Sequence, residues 1–246
     1  MSRPLLEIEG LRKAFGGHVA VNDMRLELRE GEIAGLLGPN GSGKTTLINL
    51  VSGNLRPDRG SIRLLGHDIT GQRPHQVARR GVSRTFQLVR VAGGMTALDN
   101  VVASMAFAGP RLTGTRATLR AEALLERTGL APLAHNMARD LTYIDQKRLE
   151  LARALALEPR LLLLDEWLAG LTPTELCDGI ALIRSLRDSG MAVLMVEHVM
   201  EAVRSLCEHC VVMSAGQLLA FGLTDEVLAG RDVRRAYLGD DEDTDA

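Results

Sequence analysis

The stretch Gly38-Pro39-Asn40-Gly41-Ser42-Gly43-Lys44-Thr45-Thr46 decides the fold. It fills every fixed position of G-x-x-x-x-G-K-[ST], a loop whose backbone N–H groups cradle phosphates. Its flanks agree. Ile33-Ala34-Gly35-Leu36-Leu37 is an apolar run of buried-strand type, and residues 45–53 carry apolar side chains at helical spacing with Gly53 at the end. Glycines let the backbone wrap close to an anion, and the helix that follows turns its N-terminus toward it. Lys44 is suited to pair with β- and γ-phosphates, and the Thr45 hydroxyl to hold Mg²⁺. A glycine-rich turn with a stray lysine would not bring this strand–loop–helix context with it.

On the N-terminal side, Leu6, Ile8, Met24, Leu26 and Leu28 fall on one face of alternating strands. Arg56-Pro57-Asp58-Arg59-Gly60 is turn chemistry, and a further strand is expected at 61–65. The opening third therefore adds an antiparallel patch to the phosphate-binding unit. From about Pro74 to Arg153 the pattern turns helical, with apolar residues at i, i+3 and i+4 over 95–107, 116–128 and 145–157. Residues 109–114 are expected to form a loop. Strand–helix alternation then returns, with strands at 160–165, 190–197, 211–213 and 218–220 and helices at 174–189 and 199–208. Buried strands alternating with helices predict a mostly parallel sheet covered on both faces. Residues 239–246 are acidic and read as a disordered tail.

The 246 residues are 46% hydrophobic and 24% charged, enough for a large core. A formal net charge of −2 gives no basic surface for nucleic acid. Residues 1–7 lack the apolar centre of a signal peptide, and no apolar run approaches the roughly 20 residues that span a bilayer. The expectation is a soluble, cytoplasmic chain. Three cysteines make no even disulfide framework. Cys207-Glu208-His209-Cys210 spells C-x-x-C, but zinc needs further ligands and no second such pair accompanies it. Two buried cysteines at a helix-to-strand junction are expected instead.

A phosphate loop alone fits GTPases, small kinases, recombinases and transport ATPases. The guanine motif N-K-x-D is missing, which argues against a GTPase. Residues 161–164 feed Asp165-Glu166 as a Walker B strand: Asp165 for the Mg²⁺ shell, Glu166 to orient the attacking water. Four landmarks follow in order: Gln87 in Arg84-Thr85-Phe86-Gln87, then Leu141-Thr142-Tyr143-Ile144-Asp145-Gln146, then Ala169-Gly170-Leu171-Thr172-Pro173, then His198 after Val196-Glu197.

In this order the chain, from about residue 5 to 239, resembles the nucleotide-binding subunit of ABC transporters. The resemblance implies a P-loop (RecA-like) α/β fold, mostly parallel, with an N-terminal antiparallel patch and an inserted helical subdomain. One domain would span 1–246: a core from 5–87 and 154–230, helices in 88–153, and a C-terminal segment at 231–246. Gln87 would join the metal site and link it to the membrane partner, His198 would contact the γ-phosphate, and Phe15 would stack on adenine. A core phenylalanine is the other reading of Phe15. Leu141 to Gln146 would be the signature loop, closing on ATP held by a second subunit, and Ala169, Gly170 and Leu171 would line that interface. ATP and Mg²⁺ are implied. So are integral membrane permease subunits, an identical or related ATPase partner, an extracytoplasmic binding protein acting indirectly, and a site on the inner face of the membrane.

Within that family the likeness is greatest to ATP-binding subunits of branched-chain amino acid importers. It rests on Phe15-Gly16-Gly17, Arg84 to Gln87, Ala169-Gly170-Leu171 with Pro173, Glu197-His198-Val199-Met200 and Ala236-Tyr237-Leu238-Gly239. Relatives moving urea or lipopolysaccharide share some of these. Two residues depart from the pattern. Ile144 stands where the signature loop has glycine; a β-branched residue would block close backbone approach and resist φ > 0. Trp167 stands where proline follows the glutamate, which frees the backbone there and leaves an indole to find room near the dimer interface. A hydrolysis-impaired, ATP-binding regulatory module is therefore the competing reading. Soluble ABC proteins of DNA repair or translation resemble long coiled-coil or tandem chains, and this chain has neither feature.

Overall fold

Apolar side chains at most positions of the short central strands force the architecture. The computed structural model describes residues 4–106 and 112–238; residues 109–111 of the expected 109–114 loop, and the acidic tail, lie outside them. Strands β1 (Leu6–Phe15) and β2 (His18–Leu28) form a hairpin, and β3 (Ile33–Leu37) leads through the phosphate loop into α1 (Lys44–Val51). Strands β4 (Arg59–Leu64) and β5 (His67–Asp68), α2 (Pro74–Arg79) and β6 (Val82–Arg84) follow. Next come helices α3 (Ala97–Met105), α4 (Thr115–Arg127) and α5 (Tyr143–Leu155). Strand β7 (Leu161–Asp165), α6 (Pro173–Asp188), β8 (Ala192–Val196) and α7 (Met200–Leu206) restore the alternation. Strands β9 (His209–Ser214) and β10 (Gln217–Leu223) and helices α8 (Thr224–Ala229) and α9 (Arg231–Leu238) complete the chain.

Two sheets result. One, β2-β1-β4-β5, is antiparallel throughout. The other runs β10-β9-β3-β8-β7-β6, parallel except for the edge pair β9–β10. In β7, Leu162 and Leu164 face the core under the helices, while Leu161 and Leu163 face the core shared with α1 and the antiparallel sheet. This two-residue alternation buries both faces, so the strand reads as an unbroken apolar run. Each such leucine contributes about 1.5–3 kcal/mol of burial.

Strand β6 corrects the sequence reading. Residues 82–84 fall in the stretch expected to be helical, yet pair in parallel with 161–163 of β7. Three residues are too few to display a period of two, so the flanking helices mask them. Threonines start α3, α5 and α6: Thr96, Thr142 and Thr172 each accept from the backbone N–H three residues on. Such caps contribute about 1 kcal/mol apiece. Among the described residues no helix is long and apolar enough to cross a membrane.

Candidate nucleotide site

Strand β3 delivers the phosphate loop at the carboxyl edge of the parallel sheet, where ligands of open α/β folds bind. Two glycines are sterically required. A Cβ on Gly38 (φ 141°) would come 2.1 Å from the Met213 carbonyl oxygen, and one on Gly43 (φ 105°) 2.3 Å from that of Ala20. Lys44 Nζ donates to the carbonyls of Gly38 (2.6 Å) and Pro39 (2.9 Å), which bends it over the loop. Burial pulls its ammonium below the usual lysine range, opposed by the charges of Glu166 and Asp165. The Ser42 hydroxyl is buried in the loop with no hydrogen-bond partner among the described residues. An orphan donor beside a lysine suits an anion.

A cleft of about 400 Å³ opens over the loop, lined by Asn40 to Thr46, Phe15, Gln87 and Glu166. Phe15 is 47% exposed at its rim, so it is not the core phenylalanine of the alternative reading. Next to it lies a second cleft of about 400 Å³, where Thr45, Gln87 and Asp165 meet. A hydroxyl, an amide oxygen and one carboxylate suit Mg²⁺, which takes few protein ligands and completes its shell with phosphates. No cluster of three His, Cys, Asp or Glu that could hold a metal occurs among the described residues.

Glu166 lines the first cleft, and its neighbour Asp165 the second. Gln87 Nε2 donates to Glu166 Oε2 at 2.8 Å, and His198 Nε2 lies 3.1 Å from its Oε1. Two residues remote in sequence thus converge on one carboxylate. Asp165 is buried, and Arg84 Nη2 donates to its Oδ2 at 3.1 Å. Burial raises the Asp165 carboxyl, and Arg84 opposes that rise. The same guanidinium binds Asn49 at 2.7 Å and Ser52 at 3.1 Å, joining α1 to the Walker B strand.

The sequence reading assigned no role to Arg84, Lys147, Glu150 or Glu197, and all matter here. Glu150 accepts from the backbone N–H groups of Phe86 (3.3 Å) and Arg90 (3.0 Å), tying the Gln87 loop to α5. Lys147 and Glu197 grip the turn after Glu166. The signal of Lys147 and Glu150 is faint: charged residues three apart on a helix otherwise rich in apolar positions. Tyr237 was noted only as part of a local likeness, yet its hydroxyl accepts from the Gly38 N–H at 2.7 Å, so α9 braces the loop.

The signature segment lies apart from both clefts, at the start of α5. Leu141 is buried, and Gln146 Nε2 donates to its carbonyl at 3.1 Å. Tyr143 is exposed. Ile144 sits in the first turn of α5 with helical backbone, so the concern about φ > 0 falls away; only its bulk remains. A different obstacle appears. The Thr142 hydroxyl donates to Asp145 Oδ2 at 2.6 Å, and Asp145 N–H donates back at 3.3 Å. The hydroxyl is already engaged by a carboxylate.

Trp167 also differs from expectation. The indole is buried in the core against α6, not at an exposed interface. There Gly179 makes room: a Cβ would meet Leu168 Cδ2 at 2.6 Å and Trp167 Cζ3 at 3.3 Å. Beyond it, Gly170 and Leu171 lead to the Thr172–Glu175 capping box of α6. The C-x-x-C cysteines are buried between α7 and β9, Cys210 Sγ lying 3.3 Å from Thr224 Oγ1.

Residues 21–169 match the model of a family described as "ABC transporter". The chain belongs to that family. It is 41% identical over 254 aligned residues to the "High-affinity branched-chain amino acid transport ATP-binding protein BraF" of Pseudomonas aeruginosa, covering 98% of this chain and 100% of that protein. It is 36% identical over 236 residues to the "Lipopolysaccharide export system ATP-binding protein LptB" of Escherichia coli, covering 96% and 98%. Among solved structures it resembles the ADP conformation of MJ1267, an ATP-binding cassette of an ABC transporter. The TM-score is 0.88 at 29% identity, over 97% of this chain and 100% of that one. The cassette is thus an ABC ATPase in fold and family.

Proposed function

We propose that this cassette binds and hydrolyses ATP to drive an importer of branched-chain amino acids. The observation that carries the reading is the full-length likeness to BraF, 41% identical with 100% of that protein covered. In this reading Phe15 stacks on adenine, while Gly38 to Thr46 wrap the phosphates and Lys44 offsets their charge. Thr45, Gln87 and Asp165 hold Mg²⁺, which when bound spreads the charge of the β- and γ-phosphates. Glu166, held by Gln87 and His198, orients the attacking water, and His198 also meets the γ-phosphate. Leu141 to Gln146 and Ala169 to Leu171 face a second ATPase subunit, identical or related. Permease subunits in the membrane receive the stroke, and an extracytoplasmic binding protein supplies the substrate.

Reconstitution with its permease and binding protein in liposomes tests this. Leucine, isoleucine or valine should stimulate ATP turnover and be taken up. Stimulation by urea or lipopolysaccharide instead would sink the substrate assignment. The Thr142–Asp145 contact favours a second reading, in which ATP binds but dimer closure is unproductive. Absence of turnover under every condition, with ATP binding intact, would select it.

A further inference from the structure

The turn that carries Glu166 is unusual in its support. Glu166 has φ 52°, a left-handed conformation that is strained for a non-glycine residue and persists only when surroundings hold it. No proline ring follows to fix the chain, since residue 167 is tryptophan. The restraint comes from elsewhere. Lys147, on α5 and only 3% exposed, aims its ammonium at this turn: Nζ donates to the carbonyls of Ala169 (2.7 Å), Trp167 (2.9 Å) and, more distantly, Glu166 (3.5 Å). Trp167 Nε1 donates back to the Lys147 carbonyl at 3.2 Å. On the far side Glu197 Oε1 accepts from the Leu168 N–H at 2.7 Å, and Val196 accepts from the Glu166 N–H at 2.8 Å.

A buried ammonium whose hydrogen bonds all go to carbonyls of one turn is a costly arrangement. Burial pulls it below the usual lysine range, resisted by the charges of Glu197, Glu150 and Glu166. Hydrogen bonds from a charged donor are stronger than neutral ones, and two short ones here hold one strained residue. Lysine is suited to this work because its ammonium carries three donors, one for each carbonyl.

We propose that Lys147 is a positioning residue: from the signature helix it clasps the turn Glu166–Ala169 and so sets where the Glu166 carboxylate stands. The inference rests on the reading of Glu166 as the group that orients water. It adds a route between sites. The helix that begins with Thr142 to Gln146 holds, one turn further on, the backbone of the residue aimed at the water. Displacing α5 therefore displaces Glu166.

The chain carries its own reporter, because its single tryptophan is the clasped residue. ATP turnover, ATP affinity and tryptophan emission are compared for the full-length parent, Lys147→Met, Lys147→Arg and Glu166→Gln. Lys147→Met is expected to lose about 10²-fold in kcat, the cost of a misplacement of about 1 Å, with ATP affinity unchanged within about threefold. Its emission should shift to the red as the indole loosens. Lys147→Arg, which keeps donors and charge, should recover kcat to within about fivefold of the parent. Parental kcat and unshifted emission in Lys147→Met, with Glu166→Gln inactive, would overturn the proposal. Parental turnover in Glu166→Gln would instead overturn the reading of Glu166, while the emission still reports whether Lys147 holds the turn. If Lys147→Met does not fold, Gly179→Ala takes its place: its methyl presses on Leu168 and Trp167, and kcat should fall with affinity kept. An unchanged kcat there would equally end the proposal.

Discussion

The phosphate loop and the turn after Glu166 both hold backbone in left-handed conformations beside a negative charge, by opposite means. In the loop the strained positions are glycines, as at Gly38 and Gly43, and the neighbouring carbonyls leave no room for a Cβ. In the turn the strained position is a glutamate, and its support arrives from α5, β8 and Glu197, which follows β8. The first solution is local and tolerates no side chain. The second is distributed, and it transmits motion from each element that holds it.

The sharpest way to break this contrast is at the loop. Lys44→Ala should weaken ATP binding on the order of 10³-fold, since the lysine is the loop's one long-reach cation, measured by titration calorimetry. Undiminished affinity would mean that the glycine cradle suffices alone. Next in size is the signature corner, where Ile144 and Asp145 crowd the start of α5. Ile144→Gly should raise ATP turnover on the order of 10²-fold with the membrane partner present, because one backbone donor brought to an anion is worth about 10²–10³ in rate. Asp145→Gln, which releases the Thr142 hydroxyl, should act in the same direction, and the two need not add. Unchanged or lower turnover would show the corner adapted to isoleucine.

The smallest effect concerns Glu197. Its side chain is fully buried, and burial lifts its carboxyl from 4.5 to about 7, against the Leu168 N–H and the Lys147 charge. A carboxyl raised on folding favours the native state below pH 4.5 and loses that contribution as pH climbs through about 7. Between pH 5 and 8, Glu197→Gln should therefore gain stability relative to the parent, by at most about 3 kcal/mol in denaturant titrations. A difference independent of pH would mean that Lys147 keeps Glu197 charged throughout.

How much could be read from the chain follows the same division. Nine contiguous residues spell the loop, and Leu161 to Glu166 spell the strand that faces it, because both obey short periods and fixed spacings. Gln87 and His198 were legible from their order along the chain, and the structure brings both to Glu166. Lys147 and Glu150 were not. A buried charge on a helix looks like any exposed one until its partners, 20 and 60 residues away, are known. Trp167 misled for the same reason: its room comes from Gly179, one turn inside another helix. Strand β6 was hidden by brevity alone.

The central claim is that Glu166, fixed between Gln87 and His198, acts on water and not on nucleotide binding. Single-turnover hydrolysis of bound ATP in Glu166→Gln, alongside its ATP affinity, tests it most directly. The account predicts affinity within about threefold of the parent and cleavage slowed by at least about 10²-fold. Cleavage at the parental rate would contradict it.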